Sequence, residues 1–248
     1  MFATISLDYK ANLFSQLLQQ TDFEDITKGR KGSVLVDVKN DITPIVRTTT
    51  KYNKLAQKFK LVHYDIMKKI REKSNIPNIW FNNALIELYD RDYCTMGFHS
   101  DQALDLSGDS YIAVYSCYEN PHLLNKSNSR KLIVKNKKTN KENNIIMEHD
   151  SVIIFDILSN QQHLHKIILD NNNDNNRWLG ITFRLSKTFI QHINDLPYFY
   201  KTDKILRLAN DEEVKNFYKL RSEENKSSDF KYPEMDFTIS ASDLMLSK

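Results

Sequence analysis

Short apolar runs separated by polar turns fill the chain from residue 81 to residue 185. The runs are FNNALIELY (81–89), YIAVYSCY (111–118), RKLIVKN (130–136), NIIM (144–147), SVIIFDIL (151–158), HLHKIIL (163–169) and RWLGITFRL (177–185). Their lengths are typical of strands, and no long helical pattern lies between them. The pattern therefore predicts an antiparallel β-sandwich or barrel rather than a parallel α/β sheet.

Helical periodicity is concentrated near the N-terminus. Residues 8–20 place leucines at helical spacing, and residues 56–73 alternate apolar residues with lysines as in an amphipathic helix. Residues 33–38 alternate like a strand, and residues 43–52 are β-branched and basic. We expect a hairpin between these two segments, and helices packed on the β-rich core.

Polar residues dominate beyond about residue 190. We expect a helix near 211–221, followed by a tail with little core of its own. The predicted fold class is therefore α+β, in three parts. These are an N-terminal helical and substrate-recognition extension (1–80), a β-rich core (81–190) and a C-terminal extension (191–248).

Composition narrows the class of protein. The chain has 248 residues, of which 40% are hydrophobic, enough for one sizeable core. Cys94 and Cys117 cannot form a disulfide framework and lack the spacing of a zinc or redox motif, which favours a reducing compartment. The chain shows no secretory leader and no apolar run that would span a membrane. We expect a soluble, intracellular, monomeric protein without membrane partners.

The charge is unevenly distributed. The formal net charge is +3, whereas residues 1–80 hold 14 Lys and Arg against 8 Asp and Glu. This excess is compatible with a polyanionic partner such as nucleic acid, although solvated lysines on helix surfaces are the commoner explanation.

The segment His99-Ser100-Asp101 contains the first candidate metal ligands. In an extended segment, residues i and i+2 project to the same face, so the imidazole and the carboxylate can bind one ion. An H-x-D pair alone is a weak signal, and a later strand supplies the third group, His165. Two histidines and one carboxylate leave coordination positions open, as in non-haem Fe(II) oxygenases. His163 lies on the same side as His165, and we expect His165 to be the ligand.

Strand residues 177–185 contain candidate groups for an anionic co-substrate. Gly180, Thr182 and Arg184 share one face of a strand, so a small residue leaves room beside a hydroxyl and a cation. An arginine can bind a carboxylate through two hydrogen bonds. Tyr89, ten residues before His99, could donate a phenol hydrogen bond to the same carboxylate.

In this order, FNNALIELYDRDYCTMGFHSD, YIAVYSCYE, RKLIVKN, HDSVIIF, QQHLHKI and WLGITFR resemble the AlkB-like branch of the Fe(II)/2-oxoglutarate dioxygenases. The resemblance covers about residues 81–185. It implies a double-stranded β-helix (jelly roll), Fe(II) held by His99, Asp101 and His165, and 2-oxoglutarate held by Tyr89 and Arg184. With O2 as the second co-substrate, such an enzyme forms succinate and CO2, and it releases formaldehyde from an N-methyl group.

Three positions depart from the pattern of that family. Glu87 stands where the family has Asn, Trp178 where it has Arg, and Gly180 where it has a second Asn. A carboxylate at position 87 would repel an anionic co-substrate unless it points away or is protonated. Arg177 and Arg184 lie on opposite faces of a regular strand, so both reach the site only if a bulge separates them. In a prolyl-hydroxylase-like register, Arg177 would be the co-substrate cation.

Members of the AlkB-like branch commonly remove alkyl groups from nucleic-acid bases, and some act on proteins. We therefore expect a dealkylase acting on bases in single-stranded DNA or RNA. Candidate contacts to the strand are the following basic and aromatic residues: Arg47, Lys51, Lys54, Tyr52, Tyr93 and Phe98. The alternatives are a protein hydroxylase or demethylase with the same iron site, and a non-catalytic binding module on a degenerate scaffold.

Overall fold

The computed structural model describes residues 2–173 and 175–248. Its helices are α1 (Phe14–Gln20), α2 (Leu61–Ser74), α3 (Ile157–Gln162) and α4 (Asp211–Lys226), with short 3-10 helices at Pro121–Leu123 and Ala241–Leu244. Its strands, in chain order, are β1 (Phe2–Ser6), β2 (Glu24–Thr27), β3 (Arg30–Val36), β4 (Ile42–Pro44), β5 (Gln57–Lys58), β6 (Asn83–Tyr89), β7 (Tyr111–Tyr118), β8 (Lys131–Asn136), β9 (Glu142–Ile146), β10 (Ser151–Asp156), β11 (His163–Ile168), β12 (Trp178–Arg184), β13 (Phe189–Ile193), β14 (Leu196–Phe199), β15 (Arg207–Leu208) and β16 (Phe237–Thr238).

Two sheets form the centre of the fold, and their strands are antiparallel except for the parallel pair of β3 and β5. The main sheet has the order β1-β10-β7-β12-β6-β3-β2, with β5 paired to β3, and the second sheet has the order β11-β8-β9. Residues 95–99 extend the second sheet, because Thr95 bridges to Ile168 and His99 bridges to His165.

The connectivity of these strands is that of a jelly roll. From β6, the chain passes to residues 95–99 in the second sheet, returns to the main sheet at β7, and then forms β8 and β9 in the second sheet. It returns again at β10, crosses to β11 and ends the roll at β12. The predicted α+β class with a double-stranded β-helix core is confirmed.

Alternation along the strands divides the apolar residues between two cores. Leu179, Ile181 and Phe183 of β12 belong to the core that the main sheet shares with α1 and α2. Trp178 belongs to the core between the sheets, with side chains from β7, β8 and β10. Helices α1 and α2 thus cover the outer face of the main sheet, and the inner face of that sheet lines the site.

The terminal segments are more closely integrated than the sequence suggests. The first 80 residues supply strands as well as helices, since β1 pairs with β10 and β3 pairs with β6. The expected hairpin is wrong, because β4 pairs with β13 instead of β3. The division of the chain at residues 80 and 190 stays a prediction.

The expectation of a C-terminal segment with little core is also wrong. Phe217, Met235, Phe237 and Ile239 are buried together in a small cluster. Since Phe217 lies on α4, this cluster anchors the helix to the tail that follows it. Among the described residues, none of the helices is both long and apolar enough to cross a membrane.

The Trp178 indole packs against Gly180 in the core between the two sheets. A Cβ atom built on Gly180 would lie 2.0 Å from Cη2 of Trp178, so the ring lies directly against the glycine. The indole Nε1–H donates to Oγ of Ser116 at 2.6 Å, which fixes the ring in place. The pairing of β12 with β6 and β7 is continuous through this position, so β12 contains no bulge.

We expect Gly180→Ala to destabilise the fold by about 1–3 kcal/mol, because the added methyl group overlaps a fixed, buried ring. The matched control is Gly108→Ala, since a Cβ at Gly108 meets no atom within 4 Å. Urea unfolding of both variants measures the difference. Equal stability of the two variants would contradict this packing.

Candidate metal centre

Strand pairing brings His99 and His165 together. The His99 N–H donates to the His165 carbonyl at 3.0 Å, and the His165 N–H donates back to the His99 carbonyl at 2.6 Å. Their ring centroids lie 4.6 Å apart. One ligand atom from each of His99, Asp101 and His165 lies within 4.8 Å of the other two, a spacing that suits a single metal ion.

Asp101 is held by both its main chain and its side chain. The Asn160 side chain accepts from the Asp101 N–H at 2.8 Å and donates to its carbonyl at 2.7 Å. Arg184 Nε donates to Oδ2 at 2.7 Å. Burial by itself would raise the pKa of Asp101, but Arg184 and the two histidines hold that pKa well below its ordinary value. The carboxylate is therefore ionised and available as a ligand.

The two histidines are also prepared for a cation. Burial, with smaller contributions from His165 and Arg221, lowers the pKa of His99 to about 3. The Nδ1 atom of His99 lies 2.9 Å from the Gly97 carbonyl, which only accepts hydrogen bonds, so Nδ1 carries the proton and Nε2 keeps its lone pair. In His165, Nε2 lies 3.4 Å from Asp101 Oδ1, and Nδ1 is buried without a partner among the described residues. A bound metal would satisfy an imidazole that the protein alone leaves short of partners.

His163 has a different environment. Its Nδ1 lies 2.9 Å from the Ser159 carbonyl and its Nε2 lies 3.2 Å from the Asn136 amide. Both ring nitrogens therefore have protein partners, and the ring stands edge-on to Phe2. His163 supports the strand and is not part of the metal cluster.

A cavity of about 430 Å³ opens beside the three candidate ligands. Arg184 and Thr182 line it from β12, as their shared face predicts. Although Arg184 Nε binds Asp101, Nη1 of the same guanidinium is buried without a partner among the described residues. A buried cation with an unused donor is suited to a carboxylate group of a bound molecule.

Glu87 lines the same cavity but is neutralised by a residue that the sequence did not suggest. Arg30 of β3 donates through Nε to Oε1 of Glu87 at 2.7 Å. The Tyr89 hydroxyl donates to Oε2 at 2.8 Å, and burial raises the pKa of Tyr89 well above its ordinary value. Tyr89 itself is fully buried and does not line the cavity. The predicted phenol donor to the co-substrate is thus engaged with Glu87 instead.

The side chains packed next to Glu87, beyond the cavity, include two aromatic rings. Tyr89 and Trp178 are in contact, with ring centroids 4.8 Å apart. The Arg130 guanidinium lies 5.0 Å from the Tyr89 centroid, and it donates to the carbonyls of Tyr93 and Asp90. Trp178, at the position where the related family has Arg, also lies 5.9 Å from the Arg130 guanidinium.

Arg177 lies away from the cavity. It donates through Nε to Glu119 at 2.9 Å, and its guanidinium lies 5.4 Å from the Phe14 centroid on the helical side of the main sheet. Because β12 contains no bulge, Arg177 cannot share the inward face of Arg184. The structure therefore does not place Arg177 with the other candidate co-substrate residues.

Of the residues predicted to contact nucleic acid, some are buried in the fold and others line the cavity. Arg47 is buried and bound to Asp105 and to the carbonyls of Met235 and Phe237, and Tyr52 is 2% exposed. Because Arg47 and Tyr52 are buried, they stabilise the fold and cannot contact a nucleic-acid strand. Tyr93 and Phe98 do line the cavity.

Sequence reasoning missed Arg30, Asn160 and the face of α4 that contains Tyr218, Arg221 and Asn225. In the sequence, Arg30 stands out only as one of the positive charges of residues 1–80. For α4, the repeat of polar residues at positions 218, 221 and 225 marks one helical face, but nothing in the sequence says that this face covers the metal site.

No family model matches the sequence, and no curated protein matches it either. Among solved structures, that of OsALKBH1 is similar, with a TM-score of 0.48 and 13% identity. The alignment covers 74% of this chain and 96% of that one. The fold assignment therefore rests on the strand order, and the site assignment rests on the geometry described above.

We expect His165→Ala to abolish stoichiometric Fe(II) binding, because three ligands leave no redundancy. The matched control is His163→Ala, which removes a histidine two positions away whose nitrogens both have protein partners. Anaerobic titration with Fe(II) measures both variants. Loss of the metal in His163→Ala and its retention in His165→Ala would refute the ligand assignment.

Proposed function

We propose that this protein is an Fe(II)-dependent oxygenase that uses 2-oxoglutarate as its co-substrate. The observation that carries the proposal is the cluster of His99, Asp101 and His165 beside Arg184, whose guanidinium holds Asp101 and keeps one buried donor unused. Two histidines and a carboxylate beside a cavity are the ligand set of non-haem iron oxygenases.

Each cavity residue has a distinct task in this proposal. His99, Asp101 and His165 hold the iron, and Arg184 orients Asp101. Arg184 Nη1 and the Thr182 hydroxyl bind a carboxylate of the oxo acid near the metal. When bound, iron, 2-oxoglutarate and O2 supply the oxidising power to insert oxygen into a C–H bond.

Arg30 neutralises Glu87, so this carboxylate can line a cavity that binds an anionic co-substrate. Without it, Glu87 would place an unpaired negative charge on the cavity wall and repel a dianion. The Arg30–Glu87 pair is neutral as a unit, and Arg30 also lines the cavity. We therefore assign the second carboxylate of the oxo acid to the end of the cavity lined by Arg30, in place of the Tyr89 hydroxyl that the resemblance implies.

We expect Arg184→Ala to weaken 2-oxoglutarate binding about a hundredfold or more, since loss of one partner of a desolvated charge pair typically costs about 3–5 kcal/mol. Iron binding should fall less, because all three ligands remain. The control is Arg177→Ala, which removes an arginine from the same segment but from outside the cavity. Anaerobic titration of the iron-loaded protein with 2-oxoglutarate gives both affinities. Equal losses in the two variants would rule out this arrangement.

For the substrate, we propose an alkylated base in single-stranded or locally opened nucleic acid. The support is the cavity wall: Phe98 and Tyr93 offer aromatic faces, and Lys166 Nζ lies 4.4 Å from the Phe98 centroid. Aromatic rings flanked by cations suit a base and its phosphates. A base inside a duplex must first be unstacked, which costs a few kcal/mol, so an open strand should react faster.

We expect formaldehyde release from methylated oligonucleotides, faster for single strands than for duplexes and slower at higher salt. Methylated and proline-containing peptides are the comparison substrates, and succinate is measured in parallel. Turnover on peptides alone would instead identify a protein hydroxylase or demethylase. Absence of Fe(II) binding and of succinate would indicate a binding module.

A further inference from the structure

The C-terminal helix α4 lies over the metal centre. Asn225 Oδ1 accepts from the Ser100 N–H at 3.0 Å, and Glu224 Oε1 accepts from the Ala103 N–H at 2.8 Å. These bonds hold both sides of Asp101 in the loop that contains it. Lys137, in the turn between β8 and β9, donates to the carbonyls of Glu224 and Ser227, which fixes the end of the helix.

One face of α4 is left facing the cavity. Tyr218, Arg221 and Asn225 are spaced by three and four residues, so they share one side of the helix, and all three line the cavity. Tyr218 keeps 43% of its surface exposed, and its hydroxyl is bound to the Thr49 carbonyl. The Tyr218 ring is therefore positioned, while part of its surface is free for contact.

Arg221 differs from the other two arginines of the cavity. Arg30 and Arg184 are bound to Glu87 and Asp101, which also line the cavity. Arg221 Nη1 donates to Glu224 at 2.9 Å, and Glu224 is not part of the lining. Glu224 is also shared, since it accepts from Tyr232 and from the Ala103 N–H. Within residues 2–173 and 175–248, no other partner of the Arg221 guanidinium is found, and a guanidinium has five N–H donors.

The cation is close to the metal ligands and to aromatic surface. Arg221 lines the same cavity as His99, Asp101 and His165. Phe98, next to His99 in the chain, also lines the cavity, and Lys135 and Lys166 lie 5.6 and 4.4 Å from its centroid. The cavity lining thus combines three aromatic rings, those of Tyr93, Phe98 and Tyr218, with a cation, Arg221, whose carboxylate partner lies outside the lining.

We propose that Arg221 binds a phosphate of the substrate strand and that α4 forms one wall of the substrate site, with Tyr218 against the base. This inference rests on the proposed function and adds a specificity-determining residue from the C-terminal segment. A charged hydrogen bond to phosphate positions the nucleotide, while the base edge faces the metal. An oligonucleotide that lacks the phosphate beside Arg221 would lose that contact.

The test is binding of a fluorescein-labelled, methylated single-stranded oligonucleotide to the Fe(II)-loaded protein without O2, measured by anisotropy at several salt concentrations. We expect Arg221→Gln to weaken binding about tenfold or more, and to reduce the slope of log affinity against log salt by about 0.7, the value for one phosphate contact on a single strand. Arg221→Lys keeps the charge and should keep the slope.

The matched control is Lys219→Gln, which removes one positive charge from an exposed position of the same helix outside the cavity lining. Lys219→Gln should bind almost as the unchanged protein does. Fe(II) titration and succinate release report separately on the iron site, so loss of iron binding identifies a misfolded Arg221→Gln variant. In that case, the salt slope of Arg221→Lys is the test, and a slope lower than that of the unchanged protein contradicts the inference. Equal binding and slopes in Arg221→Gln and the unchanged protein, or equal losses in Lys219→Gln, would overturn the inference alone. An unchanged protein that binds no oligonucleotide would overturn it together with the nucleic-acid part of the proposed function, while succinate release would still uphold the oxygenase.

Discussion

The site depends on the backbone pairing of His99 with His165. This pair joins a short segment of the second sheet to β11, and it places two imidazoles side by side from positions 66 residues apart in the chain. Asp101 then follows at the point where the chain leaves the sheet, held by Asn160 and Arg184. The pairing joins segments that are distant in the sequence. The metal centre is therefore a product of long-range strand pairing.

Charge is balanced around this pairing by partners from distant parts of the chain. Asp101 is bound by Arg184 of β12, Glu87 by Arg30 of β3, and Glu224 by Arg221 within α4. A buried carboxylate without a partner would be costly. Because each anion has its own arginine, the cavity can accept further negative charge from a ligand. The N-terminal and C-terminal segments are thus part of the electrostatics of the site.

The sequence predicts the parts of this structure that depend on local periodicity. The strands of the roll, the long N-terminal helix and the three candidate ligands follow from alternation and from the order of His99, Asp101 and His165. What it cannot predict is which distant side chains meet. Glu87 indicated a conflict, but its resolution by Arg30 requires knowing that β3 pairs with β6. Tyr89 and Arg177 are assigned by position in a pattern, yet their partners are chosen by packing. The covering of the metal site by α4 depends on tertiary contacts that leave only a weak periodic signal.

The contact between Trp178 and Gly180 restricts the routes by which this site can change during evolution. Any side chain larger than hydrogen at position 180 overlaps the indole. The indole in this position fits only beside glycine, and a larger side chain at position 180 requires the indole to move or to be replaced by a smaller group. Each of the two residues thus sets which substitutions are tolerated at the other.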